Sequence, residues 1–342
     1  MNKHTVRSII TVFCSVILLV VTPTSAFAAT AKSSTPAQPV SVETNTLKIS
    51  PVRSDLTIAP GNSGTVKMYV YNITNKPIEV TPVENDFISG PQENGTPDII
   101  LSPTQYAPTH SLKRFMQALP SAVTVPANNA APVTLTISVP KTAQAGGYFG
   151  AIRFVPTTPG GGKSVNLSPS VATIILMTVP GPTIQRVGIT NFDIQQDGST
   201  GTSFRNPKNL SLFMRFQNQG NLQEAPFGQI YVEKGKKVVY TYSFNQNQPQ
   251  EEILPDSFRR WTVPLSGFGN FGKYTVGAAF TYGTGTQQAL DLTKTVWIIP
   301  TVLIFAAIGG IVAFILIILL IWWFLHSYKR RILRGSRHRR RY

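Results

Sequence analysis

An all-β chain closed by a single transmembrane helix is the fold class that the sequence predicts. Three observations predict it. Runs of about five to eight residues rich in Val, Ile, Thr, Phe and Tyr alternate in polarity between Pro, Gly and Asn breaks. One order of strands and turns occurs twice. Near the C-terminus, Val296 to Leu325 carries no charged residue.

The N-terminus comes first. Lys3 and Arg7 precede a short apolar run from Ile9 to Val21, and Ala26-Phe27-Ala28 supplies an A-x-A cleavage pattern. Residues 1–28 therefore read as a secretory signal peptide. Cys14, the one cysteine of the chain, lies inside that run and away from the cleavage point. The mature chain is then expected to have neither thiol chemistry nor disulfides. Residues 29–45 are Ser/Thr/Pro-rich and read as a flexible leader.

The strand-rich part follows. In "TVKMYVYNI", Val66, Met68 and Val70 share one face; in "VTLTISVP", Val133, Leu135, Ile137 and Val139 do. The recurrence is the stronger signal. "VPANNAAPVTLTISVPKTAQAGGYFGAIRF" has its counterpart in "ILPDSFRRWTVPLSGFGNFGKYTVGAAFTYG". Val139-Pro140 matches Val263-Pro264, and Gly146-Gly147-Tyr148 matches Gly272-Lys273-Tyr274. Upstream, "YVYNITNKPIEV" and "MRFQNQGNLQEA" are both strand, Asn-containing turn, strand. This order predicts two tandem immunoglobulin-like β-sandwiches, 46–180 and 184–295, joined by "VPGPTIQR". Tyr148 is expected to pack as a tyrosine corner, with Tyr148, Gly150, Ile152 and Phe154 on one face and Arg153 on the other.

The span is placed at 297–325, with Pro300 in its first turn and tryptophans at both ends. The tail, 326–342, holds eight Lys and Arg and no acid, the positive-inside signature. The expected location is the plasma membrane, single-pass, with the N-terminal part extracellular and the tail cytoplasmic against lipid. The net charge of +16 suggests nucleic acid, but its distribution argues otherwise. Signal and tail hold 2 and 8 of the 31 basic residues, which leaves 21 against all 15 acids between them. A nucleic-acid partner is therefore not expected.

Little here predicts catalysis. Residues 29–325 contain a single histidine, His110, beside Pro108, and no G-x-S-x-G elbow. No enzyme activity, cofactor or metal is expected. Glu84, Asp86, Glu93 and Asp98 could offer oxygen ligands to Ca²⁺, but they match no EF-hand and read as a solvated loop. "TPGGGKS" lacks the phosphate-loop spacing and reads as a hairpin loop. Asn72, Asn94, Asn166 and Asn209 open sequons. An insertion, 84–119, is the expected binding surface, with Phe87, Tyr106, Arg114 and Phe115 as its candidate residues.

The chain resembles the WxL-protein-interacting proteins of Gram-positive bacterial surfaces. "ISPVRSDLTIAPGNSGTVKMYVYNITNKPIEV" and "TVPANNAAPVTLTISVPKTAQAGGYFGAIRF" carry the resemblance in motif, over about 49–155. In layout it covers nearly the whole chain. It implies a peptidoglycan-binding-like Ig module, a second Ig-like module, a C-terminal membrane anchor and a basic tail. No ligand-contacting residue of the family maps onto this chain. Periplasmic pilus chaperones share a similar N-x-x-x-x-P pattern but lack a span. The expected function is non-enzymatic binding of a WxL-type surface protein, peptidoglycan or both, by strand addition or aromatic stacking. The alternative is an accessory subunit of a membrane complex, with the ectodomain as spacer. It leans on the small-residue pairs Ala306/Gly310 and Gly309/Ala313. No oligomeric state follows.

Overall fold

The computed structural model describes residues 46–157 and 170–335, with side chains to residue 329. The signal peptide, the leader to residue 45, the glycine-rich hairpin with Asn166, and the last seven residues of the basic tail, 336–342, lie outside the described residues.

Alternating polarity becomes alternating burial. In order come β1 (Leu47–Ser50), β2 (Arg53–Thr57), β3 (Ser63–Asn72), β4 (Ile78–Ser89), β5 (Pro97–Ile99), a 3₁₀ turn (Lys113–Phe115), β6 (Val123–Val125), β7 (Ala130–Ser138), β8 (Gly146–Pro156) and β9 (Val171–Val179). One sheet runs β1-β3-β7; the other runs β2-β9-β8-β4-β5, with β6 also on β4. Only β2 with β9 is parallel among these pairings. Between the sheets lie Val66, Met68, Val70, Leu135, Phe154 and Met177. The inward faces expected for β3 and β7 are those observed.

A second sheet pair follows: β10 (Val187–Gln196), β11 (Ser199–Thr200), β12 (Ser203–Phe204), β13 (Leu210–Asn218), β14 (Phe227–Lys234), β15 (Lys237–Phe244), β16 (Ser257–Pro264), β17 (Gly272–Tyr282) and β18 (Gln288–Ile298). Its sheets run β11-β10-β13-β16 and β12-β18-β17-β14-β15. It encloses its own core. At the centre Phe216 meets Trp261 and Phe280 edge-on, at centroid distances of 5.2 and 5.4 Å. Burying such a side chain contributes about 2 kcal/mol.

The recurrence seen in sequence extends to side-chain chemistry. Asn72 Nδ2 donates to the Lys76 and Val125 carbonyls at 2.7 and 3.1 Å, and its Oδ1 accepts from Thr74 N at 2.9 Å. Asn218 Nδ2 donates to the Leu222 and Ile253 carbonyls at 2.7 and 3.0 Å, and its Oδ1 accepts from Gly220 N at 2.9 Å. Both asparagines are buried, so the Asn72 sequon is closed to a glycan in the folded chain. β8 and β17 each begin on a glycine with positive φ, Gly146 at 144° and Gly272 at 136°. Two residues on, Tyr148 donates to the Gln144 carbonyl at 2.9 Å, while Tyr274 accepts from Gly269 N at 2.7 Å. The first is the tyrosine corner expected at Tyr148, and Tyr274 stands in the corresponding place.

Three expectations change. The insertion is not one excursion, because 84–89 continues β4 and 97–99 folds back on it as β5. β8 is buried on both faces. Ile152 and Phe154 join the first core, while Phe149 and Ala151 pack with Phe87 and Leu176 on the far side. The span does not begin at residue 297. Lys273 and Gly272 pair with Trp297 and Ile298, so β18 outruns the expected boundary at 295. Buried Val296 and Ile298 flank exposed Trp297, a period-2 pattern hidden inside an uncharged run. The helix α1 spans Thr301–Gly335. Its apolar part, Thr301–Lys329, is long and apolar enough to cross a membrane. Its 29 residues rise roughly 43 Å.

Candidate binding surface

Asp86 organises the candidate surface. Its side chain lies in β4, fully buried, and accepts three hydrogen bonds: from Ala107 N at 2.9 Å, Ser111 Oγ at 2.6 Å and Lys113 N at 2.9 Å. A buried carboxylate is tolerated only when so satisfied. Neighbouring β4 side chains act alike: Asn85 donates to the Ile100 carbonyl and Glu84 accepts from Leu119 N. The segment from 100 to 119 is thereby fastened to the sheet, with bridges at Ser111–Phe149 and Met116–Ile137.

This anchoring brings two of the four expected residues together at the surface. Tyr106 is 44% exposed, with Lys113 Nζ 5.1 Å and Arg114 Cζ 4.8 Å from its ring centroid. Both are cation–π distances. Phe115 is half-buried on the first core, 4.8 Å from the Tyr148 ring. Phe87 is 3% exposed and packs against Phe149 and Leu254, so it is no ligand-stacking ring. Its position on a strand, rather than in a loop, is the reason. The four carboxylates considered for Ca²⁺ also part company, and no cluster of three metal-ligating side chains exists among the described residues.

Beside Arg114 opens a cleft of 380 Å³, with His110, Tyr148 and Asn221 in its wall. His110 Nδ1 lies 2.6 Å from the Gly147 carbonyl oxygen, which can only accept, so Nδ1 carries the proton. Ser111 donates its hydroxyl to Asp86, not to His110. Asn221 reaches across from the second sheet pair: its Nδ2 donates to the Ala145 carbonyl, and its own carbonyl accepts from Gly147 N, both at 2.8 Å. A Cβ on Gly146 would lie 2.6 Å from that same Asn221 oxygen. The glycine is thus needed for its φ and for this contact.

Other contacts between the sheet pairs were invisible in sequence. Glu93, at φ 52°, accepts two hydrogen bonds from Arg215, at 2.6 and 2.7 Å, and its carbonyl accepts from Arg260 N at 2.7 Å. Arg53 pairs with Glu252 at 2.9 Å. The hydrogen bonds from Arg215 hold the Glu93 carboxyl below the usual carboxylate range. Glu93→Gln is expected to lower the melting temperature of the full-length protein in detergent at pH 7 by about 2–4 °C, for about 1 kcal/mol. A depressed carboxyl stabilises fully above its unfolded pKa of about 4.3 and loses that contribution as pH falls through the folded value. Variant and wild type should therefore converge in acid. Equal melting at pH 7 would discount this clasp.

No protein-family model matches the sequence, and no curated protein matches it. Among solved structures, the chain is similar to the class 5 fimbriae chaperone CfaA, at 16% identity and TM-score 0.38, over 72% of this chain and 98% of that one. It is similar to a chain of a chaperone–tip adhesin complex in CFA/I fimbriae biogenesis, at 16% identity and TM-score 0.37, over 73% and 98%. The Pseudomonas aeruginosa chaperone CupB2 follows at 9% identity and TM-score 0.33, over 71% and 98%. At scores and identities this low the likeness carries no argument about what the chain binds.

Proposed function

We propose that the chain is a membrane-anchored, non-enzymatic binding protein of the cell surface. Its two sheet pairs are tandem immunoglobulin-like modules, 46–180 and 184–295, the second extended by the end of β18. The α1 helix crosses the plasma membrane, and the basic tail stays in the cytoplasm by the positive-inside rule. The partner is a WxL-type surface protein or peptidoglycan, as the resemblance of 49–155 implies, and it is engaged at Tyr106 and Arg114.

The observation that carries this reading is the Asp86 anchor beneath an exposed aromatic and two cations. A surface held by buried hydrogen bonds loses little entropy on binding. Exposed Tyr and Arg are the residues that dominate such interfaces.

The test is retention of full-length protein in detergent on purified peptidoglycan and, separately, on an immobilised WxL-type protein. Wild type is expected to be retained by at least one. Arg114→Glu and Tyr106→Ala are each expected to cut that retention about tenfold. Retention by neither would end the proposal, and unchanged retention of both variants would remove the patch from it.

A further inference from the structure

Strand direction fixes which end of the second sheet pair meets the helix. β18 runs into α1 through Ile299 and Pro300 alone. β17 is antiparallel to β18 and begins opposite its last residue, Gly272 with Ile298. β14 is antiparallel to β17, with Glu233 opposite Thr275, so the β14–β15 turn lies at this end too. β12 is parallel to β18 and finishes beside it, Phe204 with Ile298. In the facing sheet, β16 ends at Pro264 just before the loop that leads into β17, opposite Ser211 near the start of β13. Asn221, which meets the first sheet pair, follows β13 at the opposite end.

The charged side chains at the helix end are mostly basic. Arg205 follows β12 and Lys208 precedes β13; Lys234, Lys236 and Lys237 sit at the β14–β15 turn, and Lys273 opens β17. All are exposed. Asp197 and Glu233 are the acids among the described residues there, and Asp197 accepts from Asn209 Nδ2 at 2.8 Å. Two aromatic rings stand among the cations. Phe271 is 54% exposed, and Trp297 is 43% exposed beside its ladder partner Lys273. Phe268 and Tyr274, by contrast, pack inward. The loop that presents Phe271 is held in place, since Tyr274 accepts from Gly269 N at 2.7 Å and its ring meets Phe268 at 5.1 Å.

The short junction decides what lies against this end. α1 exposes apolar side chains from Val302 onward. Two residues of chain span no more than the headgroup layer, about 5–8 Å deep. Phe271 is one residue from the ladder partner of Ile298 and so belongs to the same edge. Aromatic rings and lysines together suit an anionic bilayer surface, the rings at the level of the headgroups and the ammonium groups on phosphate.

We propose that this end of the second sheet pair is a membrane-binding face, seated on the phosphate headgroups of anionic lipid in the leaflet that α1 enters. Lys236, Lys237 and Lys273 meet phosphate, while Phe271 and Trp297 enter the interfacial layer. The proposal rests on the reading of α1 as a membrane span and is separate from the Tyr106 surface.

The experiment is quenching of a fluorophore on full-length protein reconstituted into vesicles of phosphatidylcholine and phosphatidylglycerol in equal parts. In a Cys14→Ser background, one introduced cysteine is the only one in the chain and carries the label. Asn270→Cys places it beside Phe271. Thr286→Cys places it in the β17–β18 turn, roughly 35 Å away along an 11-residue strand. Ile315→Cys places it within α1. Nitroxide on the lipid headgroup is the quencher for the first two, and nitroxide on the acyl chain for the third. Quenching is expected at 270 and 315 and not at 286. Because each lysine near an anionic surface favours contact by about fivefold, vesicles of phosphatidylcholine alone are expected to quench the label at 270 at least about twofold less. Lys236→Glu, Lys237→Glu and Lys273→Glu combined are expected to lower it similarly on the anionic vesicles. The melting temperature of this variant in detergent should stay within about 3 °C of wild type, since all three side chains are exposed. The lipid comparison stands without the variant. Equal headgroup quenching at 270 and 286 overturns the proposal. Quenching at 270 that ignores both lipid charge and lysine reversal overturns it too, since the tether alone would then account for it. Without quenching at 315 the span falls and the proposal with it, whereas quenching at 315 with none at 270 removes the proposal and leaves the span.

Discussion

Asn218→Ala is expected to cost the second sheet pair about 3–5 kcal/mol, which leaves little of an ordinary domain's stability. The residue is fully buried, and its side chain serves two carbonyls, Leu222 and Ile253, and one amide, Gly220. Alanine abandons all three in a place water does not reach, at about 1–3 kcal/mol each before relaxation. Asn218→Asp is no rescue, since a carboxylate would face two carbonyl oxygens. Urea unfolding of full-length protein, followed by tryptophan fluorescence, reports on the second sheet pair through Trp261 and Trp297, above the background of Trp322 and Trp323 in the helix. The described first sheet pair contains no tryptophan, so Asn72→Ala is expected to leave that signal largely in place while lowering the stability of its own half. A midpoint for Asn218→Ala close to wild type would show that these bonds are dispensable.

Asp86→Ala is expected to release the segment that carries Tyr106 and Arg114. Three donors lose a buried acceptor, at a cost of about 3 kcal/mol or more. Asp86→Asn retains one acceptor oxygen but turns an NH₂ group toward donors, so it is expected to fall between. Trypsin reads the outcome, because Lys113 and Arg114 lie on the 3₁₀ turn that Asp86 holds. Cleavage there is expected to accelerate about tenfold or more, while unfolding of the second sheet pair is unchanged. An unaltered cleavage rate would show that the segment is held by other contacts.

What could be read from sequence follows from where each residue's partners lie. Val133, Leu135 and Ile137 alternate with polar neighbours, so a local period was enough to place them inward. The Gly-x-Tyr pair could be matched between halves, and each tyrosine finds its partner within about one turn of chain. Asp86 could not be read. A charged residue among Pro and Gly looks solvated, and its donors come from residues 107, 111 and 113. Glu93 and Arg215 are 122 positions apart, beyond any local pattern. Phe87 misled because aromatic residues near turns suggest a surface, whereas toward the end of β4 Asn85, Asp86 and Phe87 are buried in succession and leave no alternation to reveal it.

Between the end of β18 and the start of α1 stand only Ile299 and Pro300, and Ile299 N is tied to the Phe204 carbonyl at 2.8 Å. Two residues reach about 7 Å at full extension, so there is no stalk. A tug transmitted along the helix arrives at β18 with nothing to absorb it. β18 is laced to β17 over eleven consecutive residue pairs, Gly272 with Ile298 through Tyr282 with Gln288. A load directed along the strand falls on that whole ladder in shear, instead of peeling it rung by rung. The junction that looks like a mere boundary between sheet and helix is therefore also a mechanical coupling, built to pass force from one to the other without slack.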